Sequence, residues 1–259
     1  MRRKALWLVM IMILLTTAAP GRAAGGGAPQ MSPDEAVKLL KDGNDRYVTG
    51  KSQHPNQTRE RRGLTAGQGQ HPFAAVLSCA DSRAPVELIF DRGIGDLFVV
   101  RVAGNVAGPD EVGSLEYAVD HLGTPLVVVL GHSQCGAVTA VVQNDKVPAN
   151  VAALVKPIAP AVAQARADNP GASEEALINA AIKANIWQAM EDLFQKSPII
   201  KGQVKAGKVK VLGALYELDT GQVQWLGPHP AQDKLVGAAG KTIGAKGKKG
   251  EGKKPRQEE

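Results

Sequence analysis

Two short polar segments contain both cysteines of the chain. The first is Cys-Ala-Asp-Ser-Arg at 79–83, and the second is His-Ser-Gln-Cys at 132–135. Two thiolates and one imidazole are a ligand set that zinc favours. Three protein ligands leave one tetrahedral position for water or for a carboxylate, and Asp81 is the carboxylate at hand. The residue types therefore predict a metal site that is either open or closed by Asp81.

Asp81 and Arg83 are only two residues apart. A guanidinium can hold a carboxylate through two parallel hydrogen bonds. Such a pair would keep Asp81 ionised and off the metal, where it could accept a hydrogen bond from the nucleophile. The alternative is an ordinary salt bridge in a turn, but the nearby Cys79 favours a role in the chemistry.

Each polar segment follows a short apolar run, at 73–77 and at 126–130. Such runs, when they end in a polar turn ahead of a helix, are typical of buried strands in a parallel sheet. Ligands bind at the carboxyl ends of these strands. We therefore expect Cys79, His132 and Cys135 to meet at one point.

The remaining pattern predicts an α/β fold with a mostly parallel sheet of four strands, an antiparallel edge strand and flanking helices. Ser-Pro-Asp-Glu at 32–35 predicts the start of a helix. This helical arm precedes the first strand, so we expect it to have little of its own domain to pack on and to lie across a partner subunit. The polar segment 51–69 predicts a loop. Further strands and helices are expected at 85–90, 96–102, 114–122, 136–142, 151–167, 173–196, 209–218 and 222–226.

The first 24 residues predict a signal peptide. Three basic residues precede an apolar run at 5–19, and small residues at 21–24 offer a cleavage site. The alternative is an uncleaved anchor, but the run is shorter than the roughly 18 residues that a spanning helix needs. We expect a flexible start at 25–31, a domain at 32–228, and a periplasmic or secreted protein without a stable membrane anchor.

The basic charge of the chain lies mainly outside this domain. The formal net charge of +6 includes four basic residues before Ala23 and seven Lys or Arg against three Glu after Gly240, which leaves about −2 for the residues between. A basic pI often indicates nucleic-acid binding, but this distribution does not, and we expect no nucleic-acid partner. Residues 229–259 predict a disordered basic tail, with weak adhesion to an anionic surface as the alternative.

Export affects the interpretation of the two cysteines. In an oxidising compartment two cysteines form a disulfide by default, which would make the chain a non-catalytic, disulfide-stapled domain. A disulfide does not need a His three residues before its second Cys, nor an Asp and an Arg after its first. The neighbouring residues favour a metal site, with the disulfide as the alternative.

The paired motifs resemble the C-x-D-x-R and H-x-x-C pattern of the β-class carbonic anhydrases. The similarity extends over 32–227 and includes Gly-Asn-Asp-Arg at 43–46, Arg-Val-Ala-Gly-Asn at 101–105 and Ser-Leu-Glu-Tyr at 114–117. The resemblance implies one Zn²⁺ per chain, held by Cys79, His132 and Cys135. It implies Asp81 and Arg83 as the catalytic pair, and hydration of carbon dioxide to bicarbonate and a proton. It also implies a homodimer or tetramer with sites near the subunit interface.

The family that the chain resembles has two groups, which differ in what occupies the fourth position on the metal. One group can close it with the Asp of the pair and carries a Trp three residues before the first zinc Cys. Val76 stands at that position here, although Arg101 matches an Arg of the same group. We therefore expect the open arrangement, in which Asp81 binds Arg83. The alternative is that Asp81 coordinates zinc.

The open group lines its pocket with a Gln, a Phe and a Tyr, which match Gln70, Phe98 and Tyr117 by position. Gln70 could donate a hydrogen bond to bicarbonate, while the two aromatic rings give an apolar wall suited to carbon dioxide. Core packing is the alternative for Phe98 and Tyr117. Gly136, directly after the second zinc cysteine, completes the predicted substrate-binding set. Hydrolysis of a linear substrate such as carbon disulfide on the same site is the alternative activity.

Overall fold

The computed structural model describes residues 31–237 of the chain. They form one sheet in the order β2-β1-β3-β4-β5. The first four strands in this order are parallel, and β5 pairs antiparallel with β4. The predicted fold class is therefore confirmed. The strands are β1 Ala74–Ser78, β2 Leu97–Arg101, β3 Leu126–His132, β4 Lys210–Tyr216 and β5 Val223–Gly227.

Helices flank the sheet. A single helix expected at 151–167 is divided by a 3-10 turn, Lys156–Ile158, because Pro157 has no N–H to continue the helical hydrogen bonds. Within residues 31–237, no helix combines the length and the apolar character that a membrane span requires. The helices are α1 Pro33–Val48, α2 Arg59–Gln68, α3 Val86–Ile89, α4 Pro109–Glu116, α5 Gly136–Gln143, α6 Ala149–Val155, α7 Ala159–Asp168, α8 Glu174–Lys196, α9 Pro198–Lys205 and α10 Gln232–Val236.

The two central strands are buried on both faces, which explains their continuous apolar runs. Every residue of β1 and β3 is buried. On one face, Leu77 and Val129 join an apolar cluster with Ile186 of α8. On the other face, Val76 and Val128 join a second cluster, to which α1 and α3 contribute. The strand ends that carry the predicted ligands are thus fixed by packing from both sides.

Helix α1 packs on its own sheet, so the expectation that this arm has little of its own domain to contact was wrong. Ala36 and Leu40 are fully buried in the cluster that contains Val76. A close approach to the turn after α3 is possible because residue 43 is glycine: a Cβ there would lie 1.9 Å from the carbonyl oxygen of Phe90. The apolar spacing of Ala36 and Leu40, four residues apart, is the sequence signal for this burial.

The predicted loop at 51–69 contains a helix, α2. Thr58 caps it, since its hydroxyl accepts a hydrogen bond from the N–H of Arg61 at 3.1 Å. Arg61 in turn donates to the carbonyl oxygen of Ile94 at 2.8 Å. None of the residues of α2 is buried. The prediction failed because this helix has no apolar stripe, the feature by which amphipathic helices are recognised.

The predicted disordered tail at 229–259 was placed too early in the chain, because its first residues are part of the fold. Within 229–237, helix α10 contacts α8 and α9, and its Val236 is buried. The rest of the predicted tail, 238–259, lies outside the described residues. So do the predicted signal peptide at 1–24 and residues 25–30 of the predicted flexible start.

Candidate metal centre

Cys79, His132 and Cys135 meet at the carboxyl edge of the sheet. Cys79 directly follows β1, His132 is the last residue of β3, and Cys135 precedes α5. All three are buried, and their sulfur and ring-nitrogen ligand atoms lie within 4.8 Å of one another. Between residues 31 and 237, this is the one group of three or more Cys, His, Asp or Glu side chains with the spacing to hold a metal ion.

The imidazole of His132 is arranged as a metal ligand would be. Its Nδ1 lies 2.8 Å from the carbonyl oxygen of Ser133, so this nitrogen carries the proton and donates it. The lone pair is then on Nε2, which is buried and has no hydrogen-bond partner in the described part of the chain. Burial of an unpaired polar atom costs free energy, and a bound cation would remove that cost.

The two sulfur atoms are free thiols, not a disulfide. The Cys135 thiol lowers the pKa of Cys79 to about 4; burial opposes this shift, while His132 and the N–H of Gly104 assist it. The hydrogen bond to Cys79, together with burial and the negative charge on Cys79, raises the pKa of Cys135. The two sulfurs therefore share one proton, and a divalent cation can replace it. This donor set fits zinc, whose sites in proteins combine thiolates and imidazoles.

Asp81 and Arg83 form the predicted bidentate pair. Arg83 Nε donates to Asp81 Oδ1 at 3.0 Å, and Arg83 Nη2 donates to Oδ2 at 2.8 Å. These hydrogen bonds hold the pKa of Asp81 well below its usual range. Asp81 Oδ2 lies 3.8 Å from His132 Nε2. The carboxylate is thus ionised and adjacent to the three ligand atoms, while Arg83 holds both of its oxygens.

Two further residues support this loop and were not among the predicted site residues. The guanidinium of Arg101 donates to the carbonyl oxygen of Cys79 at 3.0 Å and to that of Asp81 at 2.6 Å. Gln134 adopts a left-handed backbone, with φ of 55°, and its carbonyl oxygen accepts a hydrogen bond from Arg83 at 3.4 Å. Arg101 was matched to another group of the family, but here it holds the backbone on both sides of residue 80.

The predicted substrate residues occupy three different places. Gly136 is the first residue of α5, next to Cys135, and is exposed. Phe98 contacts Tyr117, with ring centroids 6.1 Å apart. However, Phe98 pairs with Ala75 of β1. Ala75 is four residues before Cys79, so Phe98 lies about 13 Å from Cys79 along the strand direction.

Gln70 lies at the opposite edge of the sheet from the metal ligands. It precedes β1, whereas Cys79 follows that strand. A five-residue strand is about 17 Å long. A single chain therefore brings Gly136 to the cysteines, but it does not bring Gln70 or the pair of Phe98 and Tyr117 there.

The fold and the site define a class of protein: a parallel α/β sheet that presents two thiols, an imidazole and an arginine-held carboxylate at its carboxyl edge. A family model described as carbonic anhydrase matches residues 74–223. Carbonic anhydrase 2 of Mycobacterium tuberculosis is 40% identical over 199 residues, which cover 75% of this chain and 93% of that protein.

Solved structures agree with this match. The β-carbonic anhydrase CafA of Aspergillus fumigatus superposes with a TM-score of 0.60 at 25% identity, covering 78% of this chain and 97% of that one. A tetrameric β-carbonic anhydrase of Sordaria macrospora gives 0.58 at 23% identity, covering 74% and 96%, and supports the fold alone. The chain belongs to the β-class carbonic anhydrases, and its enzymatic activity is that of a carbonic anhydrase.

Proposed function

We propose that this carbonic anhydrase hydrates carbon dioxide to bicarbonate and a proton with one zinc ion per chain, held by Cys79, His132 and Cys135. The observation that carries the proposal is the buried His132 Nε2, which has no partner among the described residues and lies with two free thiols within 4.8 Å. Zinc in this position would supply a Lewis acid that makes water nucleophilic near neutral pH.

Asp81 and Arg83 then have separate roles. Asp81 is ionised, so it accepts a hydrogen bond from the attacking water and orients that water towards the carbon of the substrate. Arg83 holds both carboxylate oxygens and keeps Asp81 from becoming a fourth ligand. One oxygen of water is added to carbon dioxide, and the released proton passes to solvent.

Stopped-flow hydration of carbon dioxide tests this proposal. Metal-replete protein should accelerate hydration, chelated protein should not, and added Zn²⁺ should restore the rate. Metal analysis should find one zinc per chain. A replete protein that hydrates carbon dioxide no faster than buffer would refute the proposed activity, and an active protein without stoichiometric metal would refute the zinc site.

We further infer a homodimer in which each subunit completes the pocket of the other. Gln70, Phe98 and Tyr117 lie away from the metal ligands of their own chain. Tyr117 is 45% exposed although it is a large apolar side chain, and Phe98 lies on β2, the edge strand of the sheet. An exposed edge strand with apolar side chains is suited to pairing with a second chain.

Subunit mixing tests the shared pocket. Gln70→Ala impairs the pocket and His132→Ala impairs the metal site, so each homodimer should have low activity. A heterodimer has one site with both parts intact, and mixing after dissociation should restore part of the activity. A fully active monomer, or no recovery in heterodimers confirmed by native mass spectrometry, would contradict this arrangement.

We also propose export, for which the basic and apolar character of residues 2–19 is the support. The mature chain should begin near Ala24 and should be recovered from the periplasmic or secreted fraction. N-terminal sequencing of that fraction decides the matter, since an intact Met1 would refute cleavage.

A further inference from the structure

The sulfur of Cys79 is supported by contacts beyond the ligand set. The backbone N–H of Gly104 donates a hydrogen bond to Cys79 Sγ at 3.2 Å. The carbonyl oxygen of Gly104 accepts a hydrogen bond from Asn185 Nδ2 at 2.7 Å. Asn185 lies on α8 and is only 2% exposed. A buried amide side chain is thus connected to a metal-ligand sulfur through one intervening residue.

The backbone at Gly104 has a left-handed conformation. Its φ is 77°, and that of the next residue, Asn105, is 45°. A Cβ at position 104 would lie 2.7 Å from Ile158 Cδ1, so glycine is required there for space as well as for conformation. Glycine adopts this conformation without strain, so the direction of the Gly104 N–H depends on the contacts that the surrounding structure makes with this residue. Asn185 provides one of these contacts, a direct hydrogen bond.

Asn185 is a polar residue on the apolar face of α8. Its neighbours along that face, Ile182, Ile186 and Ala189, are buried and apolar. Burial of an amide costs free energy unless it is hydrogen-bonded, and Leu would offer a similar branched shape with only apolar atoms. The bond to Gly104 is therefore the feature that distinguishes Asn185 from an ordinary core residue.

We propose that Asn185 is a positioning residue for the metal ligand Cys79, and that it acts by holding Gly104 so that its N–H points at the sulfur. The inference rests on the zinc site proposed above. Groups that hydrogen-bond to metal ligands orient them and tune the metal. An N–H···S bond withdraws electron density from the thiolate, so it strengthens the Lewis acidity that two thiolates would otherwise weaken.

Two substitutions and a matched control separate positioning from stability. Asn185→Leu keeps the branched shape of the side chain, with a larger volume, and removes the donor, whereas Asn185→Ala removes both the branched shape and the donor. Met190→Ala is the control, because Met190 is a fully buried residue on the same helix that packs near Gly213 rather than Gly104. Thermal unfolding of the metal-free proteins gives the stability of each variant.

The readouts are zinc affinity, measured by competition with a chelator, and the sulfur-to-metal charge-transfer absorption of Co²⁺-loaded protein. We expect both Asn185 variants to lose roughly 10- to 100-fold in zinc affinity, as is typical for partners of metal ligands. Their charge-transfer band should move to lower energy, because a thiolate without its N–H donor releases electrons more easily. Met190→Ala should keep the affinity and the band of the wild type.

A readout on wild-type protein does not depend on whether the variants fold. In ¹¹³Cd-loaded protein, the amide proton of Gly104 should show scalar coupling to the metal through the N–H···S bond, and its absence would overturn the proposal. Wild-type affinity and spectrum in Asn185→Leu, or losses matched by Met190→Ala, would also overturn it. Failure of the zinc site itself is distinct, since wild-type protein would then bind neither Zn²⁺ nor Co²⁺.

Discussion

The carboxylate of Asp81 contacts Arg83 and faces His132 with the same oxygen. Asp81 Oδ2 lies 2.8 Å from Arg83 Nη2 and 3.8 Å from His132 Nε2. The second oxygen, Oδ1, accepts hydrogen bonds from Arg83 Nε and from the backbone N–H of Arg83. The carboxylate of Asp81 therefore accepts three hydrogen bonds from Arg83. Rotation of Asp81 towards the metal position requires both guanidinium bonds to break.

Arg83→Ala should release Asp81 and reduce the rate of carbon dioxide hydration by about 10- to 100-fold, the range observed for partners of metal-site groups. Without Arg83, the pKa of Asp81 should rise towards the ordinary value of about 3.9. A crystal structure of the variant should show Asp81 turned towards the metal. Ser82→Ala, at the exposed residue between the two, is the control and should keep the wild-type rate.

The same pair predicts how the wild-type enzyme responds to pH. Arg83 lowers the pKa of Asp81, so Asp81 stays ionised as the pH falls from 8 to 6, and no acid-dependent closure by this residue is expected. A pH–rate profile should decline gradually, without cooperativity. A sharp cooperative loss on mild acidification, or Asp81 coordinated to zinc at neutral pH, would contradict the open arrangement.

Cys135→Ala should abolish stoichiometric zinc binding. Two protein ligands would remain, fewer than the three that catalytic zinc sites use. Metal analysis after gel filtration should find well below one zinc per chain, and hydration activity should fall to the level of chelated wild type. Thr139→Ala, one turn further along α5, serves as the control. Full zinc retention by Cys135→Ala would show that the ligand set is wrong.

The three candidate metal ligands were predictable because their positions follow from strand and turn patterns. An apolar run predicts a strand, a polar turn predicts its carboxyl end, and parallel topology brings neighbouring ends together. Cys79 directly follows β1 and His132 ends β3, and these two strands pair in parallel, so the regular topology of the sheet is enough to bring the ligands together.

Residues that act through tertiary contacts were not predictable in this way. Arg101 is 22 residues from Cys79, and Asn185 is 81 residues from Gly104. The sequence spacing does not distinguish Arg101 from a surface arginine, and it does not distinguish Asn185 from any other polar residue of a helix. The predicted pocket residue Gln70 was also not placed by its sequence position, because in the dimer proposed above it reaches the metal site of a second chain.

Gly43→Ala should destabilise the fold, because the new Cβ would lie 1.9 Å from the carbonyl oxygen of Phe90. Relief of this contact requires α1 to move away from α3, and overpacking of this kind typically costs about 1–3 kcal/mol or more. Denaturant unfolding measures the change. Gly63→Ala is the control, because Gly63 lies in α2 with open space around it, and Ala there should stabilise the helix by about 0.5–1 kcal/mol. Equal effects at the two positions would contradict this packing.

Asp91 anchors the segment that leads from α1 to α2. Its side chain is fully buried and pairs with Arg46 at 2.6 Å. The backbone N–H groups of Gln53 and His54 also donate to it, at 3.0 Å and 2.9 Å. Burial by itself raises the pKa of Asp91, but these donors together lower it overall. The folded protein therefore binds this proton less readily than the unfolded chain.

The sign of the pH effect follows from that difference. The stabilisation from Asp91 is complete above its ordinary pKa of about 3.9, and it is lost as the pH falls through the lowered pKa of the folded state. Asp91→Asn keeps the shape but removes the charge opposite Arg46, whose side chain is 22% exposed. We expect a loss of about 3 kcal/mol at pH 7, the lower end for a broken buried pair, and a smaller difference at pH 3. Urea unfolding at both pH values measures this, with the exposed Asp145→Asn as a control that should change stability by less than about 0.5 kcal/mol. A deficit in Asp91→Asn that is the same at pH 7 and pH 3 would show that the charge of Asp91 does not stabilise the fold.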